Sequence, residues 1–315
     1  MIQVLSAASE AYPLVKTGGL GDVVGALPGA LADYGVTVTT LLPGYPNVLD
    51  AIGNAPFVHR YTDLLGAQAQ ILSGWINGHP LLVLDAPSLF VRDGGPYGDR
   101  NGIDWPDNWR RFAALSRAAA DLAADVIPNW HFDILHAHDW HTGLAPAYLR
   151  YSGLAPARSV ITIHNIGFQG RFDRAIFQFL GLPPEADAIS GVEYYGGVGF
   201  LKAGLAAADA ITAVSPGYAD EIRQPPLGMG LEGLIQARGA VVSGIINGID
   251  PLIWNPRSDP ALAARYDAHS LSARRANKHA IEIGFNLTPG DGPLFTVISR
   301  LSWQKGMDVL AGELD

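Results

Sequence analysis

Short runs that are apolar throughout alternate along the chain with longer stretches whose apolar residues recur every three or four positions. The runs predict strands at residues 2–7, 36–42, 70–76, 81–84, 134–136, 159–164 and 210–214. The periodic stretches predict helices at 21–34, 108–126, 141–151, 174–180, 199–208 and 216–222. Continuous apolarity marks strands buried on both faces, and strands separated by helices predict an α/β fold with a doubly wound parallel sheet. Such sheets take their ligands at the carboxyl ends of the strands.

The texture changes at "NGIDPLIWNPRSDP" (247–260), which is rich in Pro, Asp and Asn and reads as a linker. A helix is expected near 271–283, followed by a strand–loop–helix unit in "PLFTVISRLSWQKGMDVLAGELD". The expected organisation is therefore an N-terminal Rossmann-like domain over 1–246, then a linker and the first βα unit of an incomplete second domain over 247–315. Phe295, Val297 and Ile298 read as a parallel strand that needs neighbours on both sides. A region of roughly 70 residues with one βα unit has too little to bury around it, so the chain reads as a fragment.

Composition narrows the function. Of 315 residues, 48% are hydrophobic and 16% charged, which permits a large core and excludes a disordered chain. A formal net charge of −9 argues against a nucleic-acid partner. There is no cysteine, so neither disulfides nor thiolate metal sites are available. No apolar run approaches the roughly 18 residues of a membrane span, and "MIQVLSAASE" opens directly as a strand without a basic leader. A soluble cytoplasmic protein is expected.

Residues with chemistry collect where the strands end. After the first strand, "YPLVKTGGLGDVVGALPGAL" sets Lys16, Gly18 and Gly19 at the start of a helix, where free N–H groups and the helix dipole favour an anion. Gly19, Gly21 and Gly25 are spaced one residue wider than the dinucleotide fingerprint. The next strand also lacks the acidic residue that would hold a ribose hydroxyl, which counts against a nicotinamide cofactor. A tight turn without a ligand is the competing reading. Lys16, one of four lysines in the chain, favours a phosphate-bearing ligand, and Asp22 in the first turn complements the dipole.

"HAHDWHTG" offers His136, His138, Asp139 and His141, a set that also fits a metal-dependent hydrolase, although the aspartate stands one residue out of register for that pattern. Hydrogen-bonded structural histidines are the alternative for His136 and His138. Asp139 and Trp140, expected at the loop tip, suit a polyhydroxylated ligand: a carboxylate for hydroxyls and an indole for a sugar face. "TIHNIGFQG" ends a strand with His164 and Asn165, "PYGD" puts Tyr97 in a Gly/Asp-rich loop, and "SRLSWQKG" repeats the opening pattern with Arg300 and Lys305.

Together, "KTGGLGDVVGALPGAL", "HAHDWHTGL", "TIHNIGFQG", "FLKAGLAAADAITAVSPGYADEI", "NGIDPLIWNP" and "SRLSWQKGMDVL" resemble the bacterial glycogen synthases and plant starch synthases over essentially the whole chain. These are retaining glycosyltransferases with two Rossmann-like domains. The resemblance implies transfer of glucose from ADP-glucose to the nonreducing end of an α-1,4-glucan such as glycogen, with no metal or other cofactor. It implies that Lys16 and the Gly18–Gly19 backbone hold the donor diphosphate, with Asp22 beside them among the substrate-binding residues. Arg300 and Lys305 would neutralise the departing ADP, and His164 would lie beside the transferred glucose. Asp139 and Tyr97 would share its cleft, and Asn247 would lie near the hinge. Family members continue for well over a hundred further residues, so the resemblance also implies half a donor site here. The other readings are a non-catalytic glucan-binding domain and the metal hydrolase.

Overall fold

The apolar runs pair into one sheet in the computed structural model, which describes residues 1–154, 157–299 and 305–313. In chain order the strands are β1 (Ile2–Ala7), β2 (Val36–Pro43), β3 (Phe57–Leu64), β4 (Ala67–Ile76), β5 (His79–Asp85), β6 (Ile134–His138) and β7 (Arg158–Ile163). After these come β8 (Arg171–Asp173), β9 (Glu193–Tyr194), β10 (Gly197–Gly199), β11 (Ala210–Ala213) and β12 (Val242–Gly244). The large sheet has the order β12-β11-β7-β6-β1-β2-β5-β4-β3, and β8, β10 and β9 form a small separate sheet.

From β12 across to β5 every neighbouring pair is parallel. The far edge departs from the expected all-parallel sheet, because β4 runs antiparallel to both β5 and β3. The cause is local. Leu65-Gly66 and Asn77-Gly78 connect these strands with both residues at positive φ, a turn whose twist matches a hairpin. A parallel return needs a crossover of roughly a dozen residues, and two residues cannot supply one.

The helices of this sheet's unit are α1 (Gly19–Ala32), α2 (Pro46–Ile52), α3 (Pro87–Phe90), α4 (Asn108–Ala123), α5 (Leu144–Tyr151), α6 (Phe200–Ala207), α7 (Pro216–Glu221) and α8 (Glu232–Ala237). The helix expected over 141–151 is a 3₁₀ turn, Trp140–Thr142, followed by α5, and that expected over 174–180 is a 3₁₀ segment, Arg174–Phe179. Helix α4 buries 13 of its 16 residues, so it is interior rather than a surface helix. Its run of alanines keeps its surface low, which suits close packing between α5 and the sheet. Leu5, Leu41, Leu135 and Ile161 are fully buried on the strands beneath.

The chain divides into two units, Met1–Gly248 and Ile249–Asp315. The second contains a 3₁₀ turn, Leu271–Ala273, and helices α9 (Arg274–Gly284) and α10 (Met307–Gly312). Lys278 and Glu282 pair at 2.8 Å along α9. Residues 293–298, expected as a strand, are irregular, with Phe295 88% and Ile298 95% exposed. Among the described residues no strand lies in this unit to accept the segment's backbone hydrogen bonds, and a parallel strand does not form alone.

Candidate active site

The order β7-β6-β1 sets three carboxyl ends side by side, with Ala7 in register with Ala137, and His138 with Thr162. The glycine loop, the histidine segment and "HNIGFQG" therefore share one edge of the sheet.

At the end of β1 the chain turns through Glu10, a carboxylate only 2% exposed. Glu10 accepts from the Thr17 backbone N–H, from Thr17 Oγ1 at 2.7 Å and from the Tyr97 hydroxyl, which also meets Ser9 Oγ at 2.8 Å. Burial, then the Glu10 charge, holds the Tyr97 phenol well above its usual range, so it remains the proton donor. One buried glutamate thus ties the glycine loop to the "PYGD" loop. Arg111, also buried, holds the latter from below, donating to Leu89 O at 2.7 Å, Pro96 O at 2.8 Å and Asn108 Oδ1 at 2.6 Å.

The loop's glycines fall into two groups. A Cβ on Gly25 would sit 2.4 Å from Tyr12 O, and one on Gly21 would sit 3.1 Å from Val15 O, so the packing of α1 against the loop requires both. Gly18 and Gly19 have no atom within 4 Å of a built Cβ, and Gly18, the N-cap of α1, is extended with no side-chain cap. The first amides of α1 therefore lack a side-chain partner at a helix end with a free flank. Lys16 stands beside them, paired with Asp22 at 2.8 Å on a half-open surface. A cavity of about 440 Å³ adjoins, lined by Lys16, Thr17, Tyr45, Asn47, Arg92 and Gly95 among others.

At the end of β6, Asp139 takes a positive φ of 54° and turns its carboxylate back to β7. Its Oδ1 accepts from the backbone N–H of His164 at 2.7 Å and of Asn165 at 3.2 Å. Burial pushes the Asp139 carboxyl up to about 7 against these two hydrogen bonds. The side chains around it are joined end to end. Ser6 Oγ meets His138 Nε2 at 3.0 Å, and His138 Nδ1 meets His164 Nε2 at 3.0 Å. His136 Nε2 meets Thr162 Oγ1 at 2.7 Å, and Thr162 Oγ1 meets Thr212 Oγ1 at 2.7 Å. Burial lowers His136 and His164 to about 4 and His141 to about 3, so these rings are neutral at pH 7. His141 stacks on Tyr97 with centroids 4.5 Å apart.

Two expectations change here. Trp140 is buried, 9% exposed, among Phe112, Phe172 and Phe200, with Gly170 at φ 60° against its ring. It is a core residue and offers no face to a sugar. The histidines do not converge as a metal would need, because His136 and His138 spend ring nitrogens on Ser6, Thr162 and His164. Among the described residues no three potential ligands are arranged to hold an ion.

Lys16, Gly18, Gly19, Asp22, Tyr97, Asp139 and His164 all lie on the first unit around this edge. Asn247 is exposed in irregular chain three residues past β12. Lys305 belongs to the second unit, exposed at the turn before α10, and Arg300 lies outside the described residues. Glu10, Ser6, Ser9 and Tyr218, whose hydroxyl accepts from Ile166 N at 2.9 Å, were not singled out by the sequence. No local pattern marks them: Ser6 lies within β1, Ser9 and Glu10 just beyond it, and Tyr218 in α7.

Residues 3–237 match the family described as starch synthase catalytic domain. The chain is 59% identical over its whole length to a glycogen synthase of Novosphingobium aromaticivorans and 54% identical to glycogen synthase 1 of Rhizobium meliloti. It spans 65% and 66% of those proteins' lengths. Its fold matches the catalytic domain of starch synthase IV from Arabidopsis thaliana, bound to ADP and acarbose, with a TM-score of 0.82 at 31% identity, covering 99% of this chain and 65% of that one. With the sheet, the glycine loop and the histidine edge in place, these matches establish that the chain belongs to the starch synthase catalytic domain family.

Proposed function

We propose that this chain carries the acceptor-side part of a glucosyltransferase that moves glucose from ADP-glucose to the nonreducing end of an α-1,4-glucan with retention at the anomeric carbon. The observation that carries the reading is the junction at Lys16–Gly19. Uncapped amides, two glycines that nothing inside the protein requires and one weakly held lysine share the strand edge with His164. A diphosphate satisfies all three features. An exposed ion pair such as Lys16–Asp22 contributes only about 0–1 kcal/mol, so exchange of Asp22 for a phosphate costs little.

In the reaction the C1–O bond to the diphosphate breaks as the acceptor hydroxyl bonds to C1 on the same face, and the hydroxyl proton passes to the leaving phosphate. The helix amides and Lys16 stabilise the charge that grows on ADP, a role that the family resemblance also gives to Arg300 and Lys305. His164 lies beside the transferred glucose, while Asp139 holds the His164–Asn165 backbone and Tyr97 closes the neighbouring loop. Asn247 follows β12 towards the linker and serves the same cleft.

The test is binding by the 315-residue chain. Calorimetry with ADP and with maltoheptaose should detect both ligands. Lys16→Ala should weaken ADP about tenfold, the low end for a lost charge-assisted hydrogen bond, and leave maltoheptaose unchanged. Equal losses for the two ligands, or no ADP binding at all, would overturn the proposal.

A further inference from the structure

Burial holds His138, like His164, below the usual imidazole range, so each ring is neutral with one N–H and one bare nitrogen, and the Ser6–His138–His164 chain can be ordered in only two directions. In one, the Ser6 hydroxyl donates to His138 Nε2, His138 Nδ1–H donates to His164 Nε2, and His164 carries its proton on Nδ1. In the other, His164 Nε2–H donates inward, His138 Nε2–H donates to Ser6, and the Ser6 proton must find a different acceptor.

Ser6 decides between them. It is fully buried in β1, and among the described residues His138 Nε2 is the one hydrogen-bond partner of its hydroxyl. The second direction leaves a hydroxyl proton buried without an acceptor, and the first leaves nothing unpaired. His138 is likewise fully buried, its backbone N–H taken by Thr142 Oγ1 at 2.7 Å, so the ring is fixed in place. His164, at the open end of the chain, is only partly buried.

We infer that Ser6 and His138 are positioning residues that lock His164 as the Nδ1–H tautomer, making it a neutral hydrogen-bond donor at the site. Nε2 already accepts from His138, so a proton added there would set two N–H groups against each other. The ring is held out of acid–base exchange, and a ligand atom facing Nδ1 must be an acceptor, such as a sugar hydroxyl or a phosphoryl oxygen. The proton order stands on this geometry and on the neutrality of the buried rings, whereas its use beside a transferred glucose rests on the function proposed above.

The experiment is long-range ¹⁵N–¹H correlation on the 315-residue chain with ¹⁵N-labelled histidine at pH 7, with no ligand added. In the wild-type protein His164 should show a protonated Nδ1 and a bare Nε2. Ser6→Thr, which keeps the hydroxyl, should preserve this pattern, and Ser6→Ala should shift His164 towards Nε2–H or a mixture of tautomers. The wild-type spectrum alone decides the direction if a variant fails to fold. A His164 already protonated on Nε2, or a tautomer indifferent to Ser6→Ala, would overturn the inference. Because no sugar or nucleotide is present, this result is independent of the binding test. A locked Nδ1–H tautomer in a chain that binds neither ADP nor maltoheptaose would leave the relay standing and remove the function.

Discussion

Asp139→Asn isolates the energetics of the turn that carries the histidine edge. Asn keeps a side-chain oxygen for the backbone N–H groups of His164 and Asn165 but removes the ionisable carboxyl. Burial raises the folded-state value of Asp139 from 3.8 to about 7. The sign follows from proton linkage. Below pH 3.8 the group is protonated in both states and its contribution to stability is complete. As pH rises the unfolded chain ionises first while the folded chain keeps its proton, and stability is lost until the pH passes the folded value. At 1.36 kcal/mol per unit, the remaining interval from pH 5 to 7 corresponds to about 3 kcal/mol. Urea unfolding of both proteins at pH 5, 6, 7 and 8 measures the difference directly. The stability of Asp139→Asn relative to wild type should rise by about 3 kcal/mol between pH 5 and 8, which is on the order of 1 M in midpoint. Other titrating groups are common to both proteins and cancel. A difference that stays flat across this range would mean that Asp139 is ionised in the folded state at pH 5, and the account of the turn would fail.

The loop gives two more expectations. Gly25→Ala forces a methyl to within 2.4 Å of Tyr12 O and should cost about 1–3 kcal/mol by thermal denaturation, whereas Gly18→Ala and Gly19→Ala should lie within about 0.5 kcal/mol of wild type and weaken only ADP binding. A large stability loss at Gly18 or Gly19 would give these glycines a structural role instead. Tyr97→Phe removes a donor from the buried Glu10 and should lower stability by about 1–3 kcal/mol, a shift of several degrees in melting temperature, and an unchanged melt would contradict the tie between the two loops.

The sequence makes the parallel half of the sheet legible because strands covered on both faces leave long apolar runs. β1, β2, β6, β7 and β11 lie within two residues of their expected bounds. The opposite edge follows different physics. β3 reads "FVHRYTDL" with only Leu64 buried, so burial imposes no continuous apolar pattern on it. The Asn77-Gly78 pair between two apolar runs is a strong hairpin signal, and the expectation of a parallel sheet passed over it. Trp140 shows the reverse failure. An indole beside an aspartate at a strand end has the chemistry of a sugar platform, but whether it faces solvent depends on Gly170, thirty residues away, leaving room for the ring. Glu10 has no local pattern at all, and its importance comes from Thr17 and Tyr97, one of them 87 residues distant.

What a polar or glycine residue is for becomes readable once it is known what the fold itself consumes. Lys202 and Arg111 are buried cations, and their donors are spent on carbonyls: Lys202 on Ile189 O and on Gly191 O at 2.8 Å, Arg111 on Leu89 O and Pro96 O. Removing either would leave those carbonyls unpaired in the interior, which accounts for both without any ligand. Gly21 and Gly25 are accounted for in the same way by the backbone they touch. Lys16, Gly18 and Gly19 are not. The lysine is half-exposed and held by one surface carboxylate, and the two glycines adjoin empty space at a helix end whose amides have no side-chain cap. A motif read from the sequence presents all of these residues as one unit. The structure separates those that packing requires from those it does not, and the latter are a surface-paired cation and amides without a side-chain cap, the groups that the proposed function assigns to the donor phosphates.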